Sequence, residues 1–124
     1  MHACRLYLFE ADSGTATGTW KLEQRAQLDC SGIFDMRWAP HTRAATLALA
    51  LADGSVLLVR PCEAQDGWQE TARADVDAGM VLTLDWARHA AHAGRAVVST
   101  STGQLAVLQV MRHIFCVVSH RCPS

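Results

Sequence analysis

The sequence predicts an all-β fold: an incomplete β-propeller of roughly two to two and a half blades of antiparallel strands. Three observations predict it. Residues 33–60, IFDMRWAPHTRAATLALALADGSVLLVR, are answered downstream by residues 81–110, VLTLDWARHAAHAGRAVVSTSTGQLAVLQV. The anchors keep step: Trp38 and Trp86 are 48 residues apart, Gly54 and Gly103 are 49 apart, and Trp20 and Trp68 are again 48 apart. Each copy carries several short alternating segments and no helix-length periodicity. Self-similarity at a period of 40–50 residues with several strands per copy is the signature of propeller blades.

The first strand falls in residues 1–12. Leu6 and Leu8 share one face and Tyr7 and Phe9 the other, so both faces are apolar, as expected between sheets. SGTATGT, residues 13–19, is a loop by composition. Residues 20–29 alternate and are mostly polar. They suit an outer strand, where Lys21, Glu23 and Arg25 discourage edge pairing.

The first full copy follows the turn at residues 30–32. In IFDMRW, Phe34, Met36 and Trp38 point one way and Ile33, Asp35 and Arg37 the other. Residues 46–52 are small and apolar, fitting an inner position. Asp53-Gly54 is a hairpin signal of the type I′ kind, in which both positions need φ > 0. Residues 55–60 close the hairpin, and 68–77 repeat the outer strand. In the second copy Leu82, Leu84 and Trp86 match Phe34, Met36 and Trp38, and residues 95–100 and 104–110 flank the turn at Ser101-Thr102-Gly103. The units are thus a partial blade at 5–29 and blades at about 33–77 and 81–110. MRHIFCVVSHRCPS, residues 111–124, has no acidic residue and lacks the Trp-led strand that the repeat predicts. It reads as a non-repeat tail, expected to be disordered.

Composition bounds the function. The net charge of −1 over 124 residues gives no reason to expect a nucleic-acid backbone or an anionic membrane as partner. No apolar run approaches the length of a membrane helix. Five cysteines without a scaffold spacing, and a start too short and polar for a signal peptide, point to a reducing compartment. Two units and a part fall short of the 4–8 blades that close a propeller, so a fragment or truncated isoform is expected, with uncovered apolar faces that favour aggregation.

No Ser elbow, phosphate loop or Cys-x-x-Cys is present. His89 and His92 are three apart in a loop, short of the three or four ligands a metal needs. His113, Cys116, His120 and Cys122 match no familiar zinc spacing. Asp35 and Asp85 could serve as a base or hold a cation, or could take loop hydrogen bonds and ion pairs. Trp20, Trp38, Trp68 and Trp86 could form a cage for a quaternary ammonium, although their regular spacing favours blade packing. Cys4, Cys30 and Cys62 read as isolated structural thiols.

RLYLFEAD, Asp35-Met36-Arg37-Trp38, LALADGSVLLVR, Leu84-Asp85-Trp86 and Ser101-Thr102-Gly103-Gln104-Leu105, in that order, resemble the N-terminal blades of the WD-repeat diphthine methyl ester hydrolase family over residues 5–110. The resemblance implies a cytoplasmic WD-repeat propeller. It implies hydrolysis of the methyl ester of diphthine on translation elongation factor 2, which would be the partner, during diphthamide biosynthesis. It assigns no catalytic residue, no metal and no cofactor to positions here, and two blades without the rest are expected to be inactive alone. The alternative is a non-catalytic WD-repeat module that binds a protein partner.

Overall fold

The computed structural model describes residues 3–12, 21–42, 44–62, 67–111 and 114–121. They form ten strands: β1 (Ala3–Asp12), β2 (Lys21–Ser31), β3 (Ile33–Trp38), β4 (Leu47–Leu51), β5 (Ser55–Cys62), β6 (Gly67–Asp75), β7 (Val81–Trp86), β8 (Arg95–Thr100), β9 (Leu105–Met111) and β10 (Ile114–Arg121). One 3-10 turn, Ala90–His92, interrupts the β7–β8 connection. Strands pair with their chain neighbours, always antiparallel, in three sheets: β1-β2, β3-β4-β5-β6 and β7-β8-β9-β10. Among the described residues, no helix is long and apolar enough to cross a membrane.

The two four-stranded sheets repeat down to single hydrogen bonds. The Ala39 amide donates to the Thr46 carbonyl and the Ala87 amide to the Arg95 carbonyl, both at 2.8 Å. The Ala52 amide donates to the Gly32 carbonyl at 2.8 Å, and the Ser101 amide to the Met80 carbonyl at 2.9 Å. Each central hairpin turns through three residues, with the Gly54 amide on the Leu51 carbonyl and the Gly103 amide on the Thr100 carbonyl. Gly54 and Gly103 have φ of 92° and 80°, whereas Asp53 does not have positive φ. The turn is therefore not the two-residue type I′ turn that Asp53-Gly54 suggests. A three-residue loop with glycine in the left-handed position, next to the ladder, does the same work.

Residues 114–121 depart from the sequence reading most sharply. In place of a disordered tail, β10 pairs with β9 from Ile114 opposite Met111 to Arg121 opposite Leu105. The aromatic and β-branched run of Phe115, Val117 and Val118 suits a strand. Phe115 is buried and stacks on Trp86 with centroids 6.1 Å apart. Trp68 sits on Trp38 in the preceding sheet at 6.2 Å. Phe115 thus takes the place of Trp68, and the second unit runs on through β10.

Alternation sorts the core into two layers. Ala48, Ala50, Val56, Leu58 and Ala74 face the third sheet and pack on Leu84, Trp86, Ala96, Val98, Ala106, Leu108 and Phe115. The opposite face, with Leu47, Leu49, Leu51, Leu57, Val59 and Trp68, packs on Leu6, Leu8, Leu28 and Cys30 of the first sheet. β4 is buried along its whole length because both of its faces are covered. Small residues at 48 and 50 let the bulky Leu84 and Trp86 come close. Each large apolar side chain removed from water here contributes about 1.5–3 kcal/mol.

The two outward faces show what the inner contact covers. Leu84 and Trp86 are 2% and 4% exposed, but their counterparts Met36 and Trp38 are each 49% exposed. Among the described residues the first sheet has two strands, and they do not cover Met36 and Trp38 on the β3 side of the second sheet. On the far face of the third sheet Val97 and Leu105 are exposed, whereas their counterparts Ala48 and Val56 are fully buried.

Candidate functional site

The contact between the second and third sheets opens at one end into a cleft of about 460 Å³, within the range of small-ligand sites. Its floor is Leu58 and the ring of Trp86, and its walls carry Thr42, Thr46, Arg60, Gln69, Glu70 and Thr71. β5 delivers Arg60 because it follows Val56 and Leu58 on the strand face toward the third sheet, where the buried run ends. Arg60 Nε donates to the Thr46 hydroxyl at 3.3 Å, and no carboxylate lies within ion-pair distance of Arg60 among the described residues. Glu70 is held by Arg73 at 3.3 Å. Thr71 donates to the Leu58 carbonyl. The cleft therefore joins an apolar aromatic floor to a guanidinium with no carboxylate partner among the described residues, a setting that suits a small group with an acidic end. Sequence reasoning carried Arg60 only as the last residue of the segment LALADGSVLLVR and gave it no role.

Asp35 is next to this contact. One carboxylate oxygen accepts from the Met36 amide at 2.9 Å and pairs with Arg37 at 2.9 Å. The other reaches across the sheets to the Leu84 amide at 3.0 Å. The Trp86 indole N–H donates to the Arg37 carbonyl at 3.1 Å beside it. Of the two readings open for Asp35, the geometry favours the structural one: one oxygen is held within β3 and the other fastens β3 to β7. Asp85 is exposed and lies 4.0 Å from Arg88, so the two aspartates are not brought together.

The other candidates also resolve into local roles. His89 Nδ1 accepts from the Ala91 amide at 3.1 Å and caps the 3-10 turn, with the His92 ring 6.1 Å away. Among the described residues no three metal-ligating side chains gather. His113 and Cys122 lie outside the described residues, as does the His120 side chain, so the tail quartet is represented by Cys116 alone. Trp20 also lies outside them. Trp38 and Trp68 tilt at 35° with ring centroids 6.2 Å apart beside a small apolar pocket, whereas Trp86 is buried in the other layer, so the tryptophans do not gather into one cage. No hydrogen bond joins a serine or cysteine to a histidine among the described residues.

Two further groupings appear only in the structure. At the β4–β5 turn Asp53 accepts from the Ser55 amide and hydroxyl and pairs with Arg73 at 3.2 Å. Burial pushes the Asp53 carboxyl up, but these hydrogen bonds and the Arg73 guanidinium outweigh it and hold it below the usual carboxylate range. Cys4 and Cys30, which the sequence presents as isolated, stand directly opposite each other in the β1–β2 ladder. No protein-family model matches the chain, and no curated protein matches it.

Proposed function

We propose that this chain is a segment of a WD-repeat β-propeller of the diphthine methyl ester hydrolase kind, two four-stranded blades with half of a third. The observation that carries the reading is the repetition of one meander at an offset of 48–49 residues, with matching turns, edge bonds and aromatic pairs. The resembling motifs Asp35-Met36-Arg37-Trp38 and Leu84-Asp85-Trp86 sit at corresponding places in it, on β3 and β7. In the whole protein such blades would help to form the surface that receives translation elongation factor 2 with its methylated diphthine, in the cytoplasm.

Ester hydrolysis needs an activated nucleophile and donors for the developing oxyanion. The described residues offer neither a nucleophile–base pair nor a converging donor pair. On this reading residues 1–124 scaffold the reaction and do not perform it. The test uses cells that lack the hydrolase. This chain and a full-length relative are expressed, and the modification on the elongation factor histidine is read by mass spectrometry. Persistence of the methyl ester with this chain, and its removal by the control, is the expected result. Conversion by residues 1–124 alone would overturn the scaffold role.

A second reading, a non-catalytic interaction module, is favoured by the exposed row of Phe34, Met36 and Trp38 and by Val97, Leu105, Ile114 and Val118 at the other end. Affinity capture separates the two. Retention of elongation factor 2 by the soluble chain supports the hydrolase reading, and capture of a different protein in its place supports the module.

A further inference from the structure

We infer that Cys4 and Cys30 are a thiol–disulfide exchange site: they form a reversible cross-strand disulfide on reaction with a low-molecular-weight disulfide of the glutathione type. The inference does not rest on the hydrolase reading.

The argument starts from register. Cys4 pairs with Cys30 between Ala3–Ser31 and Arg5–Asp29, on the regular side of the β1–β2 ladder, well away from its shift at Leu8. Directly opposed residues of an antiparallel pair have Cα atoms about 4.5–5.5 Å apart and side chains on the same face. A disulfide spans Cα separations of about 4.4–6.8 Å. The bridge therefore needs side-chain rotation and no backbone movement. Both thiols are free and half-buried, within reach of a small reagent. The remaining described cysteines have no such neighbour: Cys62 faces Gly67 and Cys116 faces Gln109.

The reaction balances in two exchanges. The thiolate of one cysteine attacks a sulfur of oxidised glutathione, forming a mixed disulfide and releasing one glutathione thiolate, which takes up a proton. The second cysteine then attacks the protein-bound sulfur, closing the Cys4–Cys30 bond and expelling the second glutathione. The two protein thiols lose their protons and are oxidised, and one glutathione disulfide is reduced to two thiols. The neighbours bear on the order. Burial pushes the Cys30 thiol up, as do Cys4, Asp29 and Asp53, against the opposing charge of Arg73. A raised Cys30 thiol carries less thiolate for the first attack. The product staples the sheet in which β1 pairs with β2 alone among the described residues. Closing a loop of this length should lower the opening of that sheet by about 400-fold.

The experiment equilibrates the full chain in graded ratios of reduced to oxidised glutathione. Trapped thiols are then mapped by mass spectrometry of unreduced peptides, with hydrogen exchange read on β1 and β2. A Cys4–Cys30 linked peptide as the main product, reversed by reduced glutathione and accompanied by slower exchange in β1–β2, is expected. Cys4→Ser should leave Cys30 unlinked to any other cysteine. Stable glutathione adducts on Cys4 or Cys30 without the link, or links to Cys62 or Cys116 in equal yield, would overturn the inference. The mapping on the unaltered chain stands even if the variant misfolds.

Discussion

Replacing Asp35 with alanine probes the fastening between the two full sheets. Three interactions are lost. The Arg37 pair is half in solvent and carries about 0–1 kcal/mol. The bond from the Met36 amide is local and exposed, and water replaces it. The bond from the Leu84 amide decides the cost. It crosses between sheets at 3.0 Å, and Leu84 is 2% exposed. Without Asp35 this donor is left buried and unpaired, which costs about 1–3 kcal/mol. Together these give a loss of about 1–4 kcal/mol. Asp35→Asn keeps an acceptor oxygen for the Leu84 amide and should lose about 1 kcal/mol. Urea unfolding followed by circular dichroism, at unchanged denaturant slope, gives both values, and hydrogen exchange at the Leu84 amide locates the effect. If the alanine variant unfolds within about 0.5 kcal/mol of the parent, within the range of an ordinary surface change, or if alanine and asparagine cost the same, the carboxylate is not what joins β3 to β7.

The remaining predictions test the repeat and its turns. Trp86→Ala should cost about 3–5 kcal/mol as a buried aromatic deletion. Trp38→Ala should cost far less, since it gives up a half-exposed ring and one aromatic contact of about 0.5–1.5 kcal/mol; equal losses in urea unfolding would contradict the described asymmetry. Gly54→Ala combines φ of 92° with a new methyl 2.8 Å from the Gly79 carbonyl oxygen, whereas Gly103→Ala meets no atom within 4 Å. Both lose the left-handed preference, about 1–2 kcal/mol, and Gly54→Ala should unfold first on heating. Because the Asp53 carboxyl lies below its unfolded value, its contribution is present above the ordinary carboxylate range and is lost as pH falls through the folded value. Asp53→Asn should therefore flatten the decline in stability below about pH 4, and a decline as steep as the parent's would refute the linkage. Arg60→Gln should leave stability within about 0.5 kcal/mol while weakening the binding of benzoate, followed by Trp fluorescence, more than that of benzamide.

The repeat was legible because it is written in residues whose roles are fixed by geometry. Glycines at 54 and 103 supply the left-handed turn positions. The strand-end residues Trp38 and Trp86 set the phase, and the alternation around them gave the faces. The strand order followed from short connections alone. What the sequence hid is of two kinds. β10 was hidden by substitution: Phe115 replaces the tryptophan that marks the outer strand, and its polar neighbours are replaced by apolar ones. An aromatic at the expected offset from Trp68 was the available signal. The Cys4–Cys30 pair, the Asp35–Leu84 bond and the Arg60 cleft were hidden by distance, since each depends on the register or stacking of segments that the chain separates. Asp35 shows this well. Its counterpart in the repeat is Thr83, so sequence symmetry gave no reason to assign it a bridging role.

That broken symmetry also explains the shape of the exposed surface. Asp35 and Arg37 belong to the face that receives the next sheet, and there they bond the Leu84 amide and the Trp86 indole. Thr83 is turned instead to Ser99 within its own sheet, and Asp85 to Arg88. The third sheet thus has the apolar part of a receiving face, in Val97, Leu105 and Val118, with its polar fasteners satisfied internally. The two ends of the chain are consequently unlike in kind. The β3 end offers aromatic side chains without a cover, and the β7–β10 end offers aliphatic ones without directed partners. Hydrophobic contact without directed bonds does not fix register, whereas the inner contact is set by the Asp35–Leu84 and Trp86–Arg37 hydrogen bonds at neighbouring positions and by the His41 ring on the Arg88 carbonyl. Charged substitutions at Val97 and Val118 should therefore raise solubility while leaving the unfolding free energy nearly unchanged. A stability loss as large as that of Asp35→Ala would mean that this face takes part in holding the fold.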